Sequence, residues 1–131
     1  MGQSGGCRCG AVRFSVEGTP RVALCHCGDC RKSSGAPMMA WAAFAEDELE
    51  VTKGVPKVFN SSGEAFRSFC GDCGTGLFYR NAVFLPGIVD IQSATLDHPE
   101  AFPAQAHIQT IEQIDWMKTA HNLPMFDRFP E

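Results

Sequence analysis

Apolar and polar side chains alternate over residues 11–18, AVRFSVEG, until Thr19-Pro20 interrupts the pattern. A period of two places successive side chains on opposite faces of an extended strand. RVALCHC at 21–27 is a second extended candidate, and MMAWAAF, KVFNSS, AFRSFC, GLFYR and VFLPGIVDI continue the series. Glycine, proline, asparagine or serine stands at most junctions, as turns require. Helical signal is thin: a turn or two can start at Asp29-Cys30-Arg31-Lys32, and another lies between Thr110 and Thr119. The pattern predicts a mainly β domain with sheets packed on each other and little helix. Trp41, Phe44, Phe66, Phe69, Phe78 and Phe84 are read as core or pocket wall, because a small β domain needs such residues to bury enough apolar surface.

Composition narrows the class. A chain of 131 residues fits one domain, and no linker or repeat divides it, so residues 1–131 are expected to form a single zinc-binding unit. Hydrophobic residues make up 44% and charged residues 20%, an ordinary globular balance. The net charge is −4, with Lys and Arg together numbering 11 and forming no basic stripe. That argues against a nucleic-acid partner. No apolar run approaches the ~20 residues of a membrane-spanning helix, and the start, MGQSGGCRCGAVRF, lacks the basic and apolar regions of a secretory signal. A cytoplasmic protein is the expectation.

Seven cysteines change the picture. They fall in three groups: Cys7 and Cys9; Cys25, Cys27 and Cys30; Cys70 and Cys73. A disulfide framework fares badly, since the count is odd and neighbours this close do not pair without strain. A redox Cys-x-x-Cys belongs in a βαβ setting, whereas Cys70 and Cys73 sit between strand-like stretches. Metal binding is the strong reading. Seven thiolates divide into a closed Cys₄ site and a three-cysteine site with a vacant position. CGDCG at 70–74 reads as a zinc knuckle that needs a second pair. Cys7/Cys9 and Cys25/Cys27 share the i, i+2 spacing that puts both thiolates on one side of a strand, so spacing alone does not choose between them. Economy favours Cys7 and Cys9, because Cys25, Cys27 and Cys30 then form a set and no thiol is stranded.

A zinc held by three thiolates keeps one position for an exogenous ligand. Its formal negative charge weakens Lewis acidity relative to a tri-histidine site, and it suits gathering and releasing a soft ligand such as a thiol.

CxC near the start, CHCxxCRKxxG in the middle and FCxxCGxxL further on resemble the glutathione-dependent formaldehyde-activating (GFA) enzymes, a group that includes centromere protein V. SATLDHPEAFPAQAHI, Trp116 and LPMF are similar to that family's late segment. The resemblance implies an Mss4-like, mainly β fold with two zinc ions. Structural zinc would lie on Cys7, Cys9, Cys70 and Cys73, and catalytic zinc on Cys25, Cys27 and Cys30. It further implies a carbon–sulfur lyase that joins formaldehyde and glutathione as S-hydroxymethylglutathione and runs the reverse cleavage. A small thiol is the implied partner, with no membrane and no nucleic acid.

Other residues carry weaker expectations. His26, on an extended segment between two ligands, should point away from the metal. Arg31 and Lys32 either hold a substrate carboxylate or merely solvate a helix start. Asp29 is read as a helix cap, and Ser33, Ser34 and Gly35 as loop-shaping residues. His98, His107 and His121 are each weak candidates for the vacant position. Two rival functions stand beside the lyase: a zinc-stabilised binding module, and a thiol or redox sensor using Cys25, Cys27 and Cys30.

Overall fold

A computed structural model of the protein describes residues 2–130. Ten strands form two sheets. The smaller contains β1 (Gln3–Gly6), β2 (Arg13–Val16) and β5 (Leu49–Lys53), in the order β1-β2-β5. The larger contains β3 (Arg21–Cys25), β4 (Met39–Ala45), β6 (Lys57–Ser62), β7 (Ala65–Phe69), β8 (Gly76–Asn81), β9 (Ile88–Gln92) and β10 (Ala106–Ile108). Its order is β10-β3-β4-β9-β8-β7-β6. Every pairing is antiparallel except that of β10 with β3. One α-helix, α1 (Gly28–Ser34), follows β3, and short 3₁₀ turns close several connections. The mainly β expectation holds.

Alternation decides which face of the large sheet does what. Ala42 and Phe44 of β4, Phe78 of β8, and Val89 and Ile91 of β9 turn toward the small sheet and meet Phe14 and Val16 of β2. The Phe14 and Phe78 rings pack edge to face with centroids 5.3 Å apart. This is the main core, and Cys7 and Cys70 belong to it. On the opposite face, Trp41 and Met39 of β4 join Cys25 and Cys30 in a second, smaller cluster, with Tyr79 of β8 packed against it. The candidate site lies on this second face.

Several expectations need correction. The stretch 83–91 is not one strand: residues 83–86 lie in the turn that leads to β9, which starts at Ile88. Phe66 is 41% exposed on β7 and is neither core nor pocket wall, whereas Phe84, 80% exposed in that turn, is pocket wall and not core. The helical segment expected at 110–119 is two 3₁₀ stretches, Thr110–Glu112 and Asp115–Asn122.

Phe14→Ala should cost about 3–5 kcal/mol through loss of buried area and the cavity left behind. Phe59→Ala on the exposed β6 should cost no more than about 0.5 kcal/mol. Chemical denaturation of the two variants side by side checks the difference.

Candidate metal centres

The seven cysteines are all free thiols and form two clusters, in each of which the sulfurs lie within 4.8 Å of one another. Cys7 and Cys9 come from the β1–β2 turn, and Cys70 and Cys73 from the β7–β8 turn. The sulfur separations are 3.7 Å for Cys7–Cys9 and 3.9 Å for Cys9–Cys70. These are far beyond a disulfide bond. They match the edge of a tetrahedron: bonds of about 2.3 Å to a central zinc set sulfurs about 3.8 Å apart. Backbone amides of Val12 and Asp72 donate to the Cys7 and Cys70 sulfurs at 3.2 and 3.4 Å, which favours thiolates. Gly74 gives the knuckle its turn, with φ of 80° and its N–H bonded to the Cys70 carbonyl at 2.9 Å. Gly71, after the first cysteine of the pair, is not among the positive-φ glycines, so the special turn is made at Gly74. The residues present fit a closed tetrahedral site.

The second cluster is Cys25, Cys27 and Cys30. Cys25 ends β3, Cys27 lies in the connection and Cys30 sits in the first turn of α1. The Cys25 and Cys30 sulfurs are 3.7 Å apart, again a tetrahedral edge. Cys27 is also the N-cap of α1, its sulfur accepting from the Cys30 amide at 3.2 Å. That displaces the reading of Asp29 as the cap. A thiolate serves here because a helix start presents unpaired amides to any nearby acceptor. The helix ends at Gly35, where φ of 73° lets its N–H reach the Arg31 carbonyl at 2.7 Å.

Asp29 instead forms an ion pair with Arg67 at 2.7 Å and accepts from the Ser61 hydroxyl at 3.0 Å. Burial works to raise its carboxyl, but these partners outweigh burial and hold it below the usual carboxylate range. Arg67 is buried, lies 4.8 Å over the Tyr79 ring and donates to the Cys30 sulfur at 3.6 Å. The hydrogen bond between Cys30 and Cys25 draws the Cys30 thiol down to about 5 against the effect of burial, with Cys27 and Arg67 adding to the fall. The same bond pushes Cys25 up. A charge-bearing sulfur is therefore held ready beside two neighbours, as metal capture requires.

The histidines lie elsewhere. His26 is fully buried and faces His107, with Nε2 and Nδ1 2.8 Å apart. Burial and then the neighbouring imidazole lower its pKa, so it is neutral near pH 7. No histidine joins either sulfur cluster among the described residues. His98, His107 and His121 also do not line the cleft described below. Arg31 bonds the carbonyls of His26 and Glu112 at 3.4 and 3.3 Å, and neither it nor the exposed Lys32 lines the cleft. Ser34 bonds the Cys30 carbonyl at 2.9 Å, securing the helix end.

A cleft of about 970 Å³ opens over the three-cysteine cluster, with Trp41, Tyr79, Arg67 and Asp90 among its walls. None of Cys7, Cys9, Cys70 and Cys73 lines it. Sequence reasoning missed Arg67, Tyr79 and Asp90. The signal was faint: in AFRSF, Arg67 occupies the alternating position shared with Ala65, where an inward side chain is expected to be apolar.

Comparison with known proteins agrees with this arrangement. The family model described as glutathione-dependent formaldehyde-activating enzyme matches residues 2–112. The chain belongs to that family. A Schizosaccharomyces pombe protein named an uncharacterized lyase is 33% identical over 76 residues, covering 57% of this chain and 55% of the relative. The match thus spans about half the length of that relative. A crystal structure of a Rhodobacter sphaeroides protein, a structural-genomics target, superposes with a TM-score of 0.62 at 25% identity. It covers 79% of this chain and 98% of that one. Among the described residues, no helix of the GFA-family chain is long and apolar enough to cross a membrane.

Arg67→Gln removes the donor to Cys30 and the partner of Asp29. Metal retention at the three-cysteine cluster should weaken about 10–100-fold, as for other outer-shell partners of metal ligands. Chelator competition checks this, the four-cysteine cluster serving as the internal reference.

Proposed function

We propose that the protein is a zinc-dependent carbon–sulfur lyase that makes and breaks a thiol–aldehyde adduct, with S-hydroxymethylglutathione as the first substrate to test. One observation carries the reading: of two sulfur clusters, only Cys25, Cys27 and Cys30 line the cleft. In this reading Cys7, Cys9, Cys70 and Cys73 hold a closed, structural zinc. Cys25, Cys27 and Cys30 hold a second zinc and leave one position toward the cleft. Held by Cys25, Cys27 and Cys30, zinc would supply a cation able to stabilise an exogenous thiolate or polarise an oxygen.

The chain supplies the rest. Trp41 and Tyr79 wall the reacting space and reduce its contact with water, which strengthens electrostatic interactions inside it. Arg67 and Asp29 fix Cys30 and the first turn of α1. With sulfur and aldehyde carbon held side by side in the cleft, a bimolecular addition becomes effectively unimolecular. Glutathione and formaldehyde as the reacting pair follow from the family's description, and a cytoplasmic setting follows from glutathione.

Zinc stoichiometry of the purified protein, before and after glutathione treatment and desalting, is the first test, followed by an adduct-cleavage assay. Two zincs per chain falling to one with glutathione support a thiol-accessible second site. Two that glutathione cannot shift, with no adduct cleavage, would overturn the lyase reading. Cys70→Ser should unfold or strongly destabilise the protein, because a closed thiolate site contributes folding free energy. Cys27→Ser should remain folded, retain about half the zinc and lose lyase activity. Aggregation of both variants alike would break the four-plus-three division.

A further inference from the structure

The register of the large sheet sets a row of side chains across the face that carries the cleft. Arg21 of β3 pairs with Ala43 of β4, Ala43 with Asp90 of β9, Asp90 with Tyr79 of β8, and Tyr79 with Arg67 of β7. Partners in register point to the same face. All five residues line the cleft. The alanine at 43 leaves room above the row, and Asp90 stands next to that space.

The other carboxylates of the cleft have structural duties or lie at its rim. Asp29 is bound to Arg67 and Ser61, Glu112 accepts the Gly28 amide at 2.9 Å, and Glu64 is exposed. Asp90 makes no hydrogen bond or ion pair among the described residues. A partly buried carboxylate without a partner costs stability, and such a group in a cleft beside reactive sulfur has a use in chemistry.

Resting on the lyase reading, we propose that Asp90 is the catalytic residue that takes the hydroxyl proton of the thiol–aldehyde adduct and returns it in the reverse direction. In cleavage, the Asp90 carboxylate accepts the proton from the adduct's hydroxyl. The O–H electron pair forms the carbonyl, the carbon–sulfur bond breaks, and its pair leaves with sulfur as thiolate. The products are an aldehyde, a thiolate and a protonated Asp90, whose proton then passes to sulfur or solvent. Addition of thiolate to aldehyde is the same path reversed.

The surroundings suit the task. Burial pushes the Asp90 carboxyl up to about 6, the Cys30 thiolate adds to the rise, and Arg21 opposes it. Tyr79 from β8, Arg67 from β7, Asp29 from α1, Glu64 and Glu112 at the rim, and Cys25 and Cys27 are the other titratable or charged groups on the cleft wall. Three thiolates around one divalent cation still carry one negative charge, so the direction holds with metal bound. A carboxyl poised near neutrality both accepts and donates.

The test is Asp90→Asn in the zinc-loaded protein, with Asp90→Ser read in the same way should the asparagine variant not fold. For adduct cleavage kcat should fall about 10²–10⁴-fold, while KM and zinc content are kept. The wild-type acid limb near the carboxyl's value of about 6 should vanish. Because the folded carboxyl lies above its unfolded value, the contribution of Asp90 to stability is full below about pH 4 and is lost as pH rises through about 6. The variant should therefore melt higher than wild type at about pH 8 and not at about pH 4. If wild type cleaves the adduct and the variant keeps its kcat, or melts lower at about pH 8, the assignment to Asp90 is overturned while the lyase reading stands. If zinc-loaded wild type cleaves no adduct, both fall together.

Discussion

Closure of the two sheets around one core depends on four sulfurs brought together from two hairpin turns. Cys7 and Cys70 are buried members of the main core, whereas Cys9 and Cys73 face solvent. Thiolates at such separations repel one another strongly in a low dielectric unless a cation compensates them. Two amide donors relieve part of the charge and cannot remove it. Packing of Phe14 against Phe78 and charge balance at the turn are therefore linked. The small sheet has three short strands, with β5 largely exposed, so the sulfur cluster is its second fastening beside the packing of Phe14 and Val16 on the large sheet.

The second cluster follows from what the large sheet does with its other face. A strand that alternates serves two masters: Ala42 and Phe44 fill the core while Trp41 and Ala43 face the cleft. The same division runs through β9, with Val89 and Ile91 inward and Asp90 outward. The core thus fixes the register, and the register fixes the relative positions of Arg67, Tyr79 and Asp90 with little freedom to slip. Groups meant for chemistry are held by rigid strands rather than by loops. Cys27 and Cys30 are the exception, and there the helix cap supplies the rigidity.

Much of this was legible in the chain. Alternation located β2, β3, β4, β7 and β8, because those strands have a buried and a less buried face, while β6, exposed almost throughout, was found as a run between turn residues. It missed β1, β5 and β10 for separate reasons. The β1 segment QSGG carries two glycines, and Gly5 lies so close to Phe14 that a Cβ there would meet its ring at 2.5 Å. Its strand character comes from tertiary contact and leaves no apolar trace. LEVTK of β5 is mostly exposed, and AHI of β10 is three exposed residues at a sheet edge. The cysteine grouping was readable because seven rare thiols divide without remainder into four and three, although spacing alone did not choose the pair that joins Cys70 and Cys73. Arg67 and Asp90 were not, since a single charged residue in a strand acquires meaning only once its neighbours across the sheet are known. Pro86-Gly87 misled the reading of 83–91, where a tight turn stands between two apolar runs.

The late part of the chain is fastened to the cysteine loop at four points. His26 donates its amide to the Ile108 carbonyl at 3.1 Å and faces His107 through its ring. Glu112 accepts from Gly28, and Arg31 reaches back to the Glu112 carbonyl. Beyond residue 112 these fastenings cease, and the family match ends at the same residue. Mechanical coupling thus divides the chain in two. Between His107 and Glu112, the chain bears directly on the segment that carries the three thiols. After Glu112, residues such as Met125 and Phe129 are highly exposed and take no part in these fastenings.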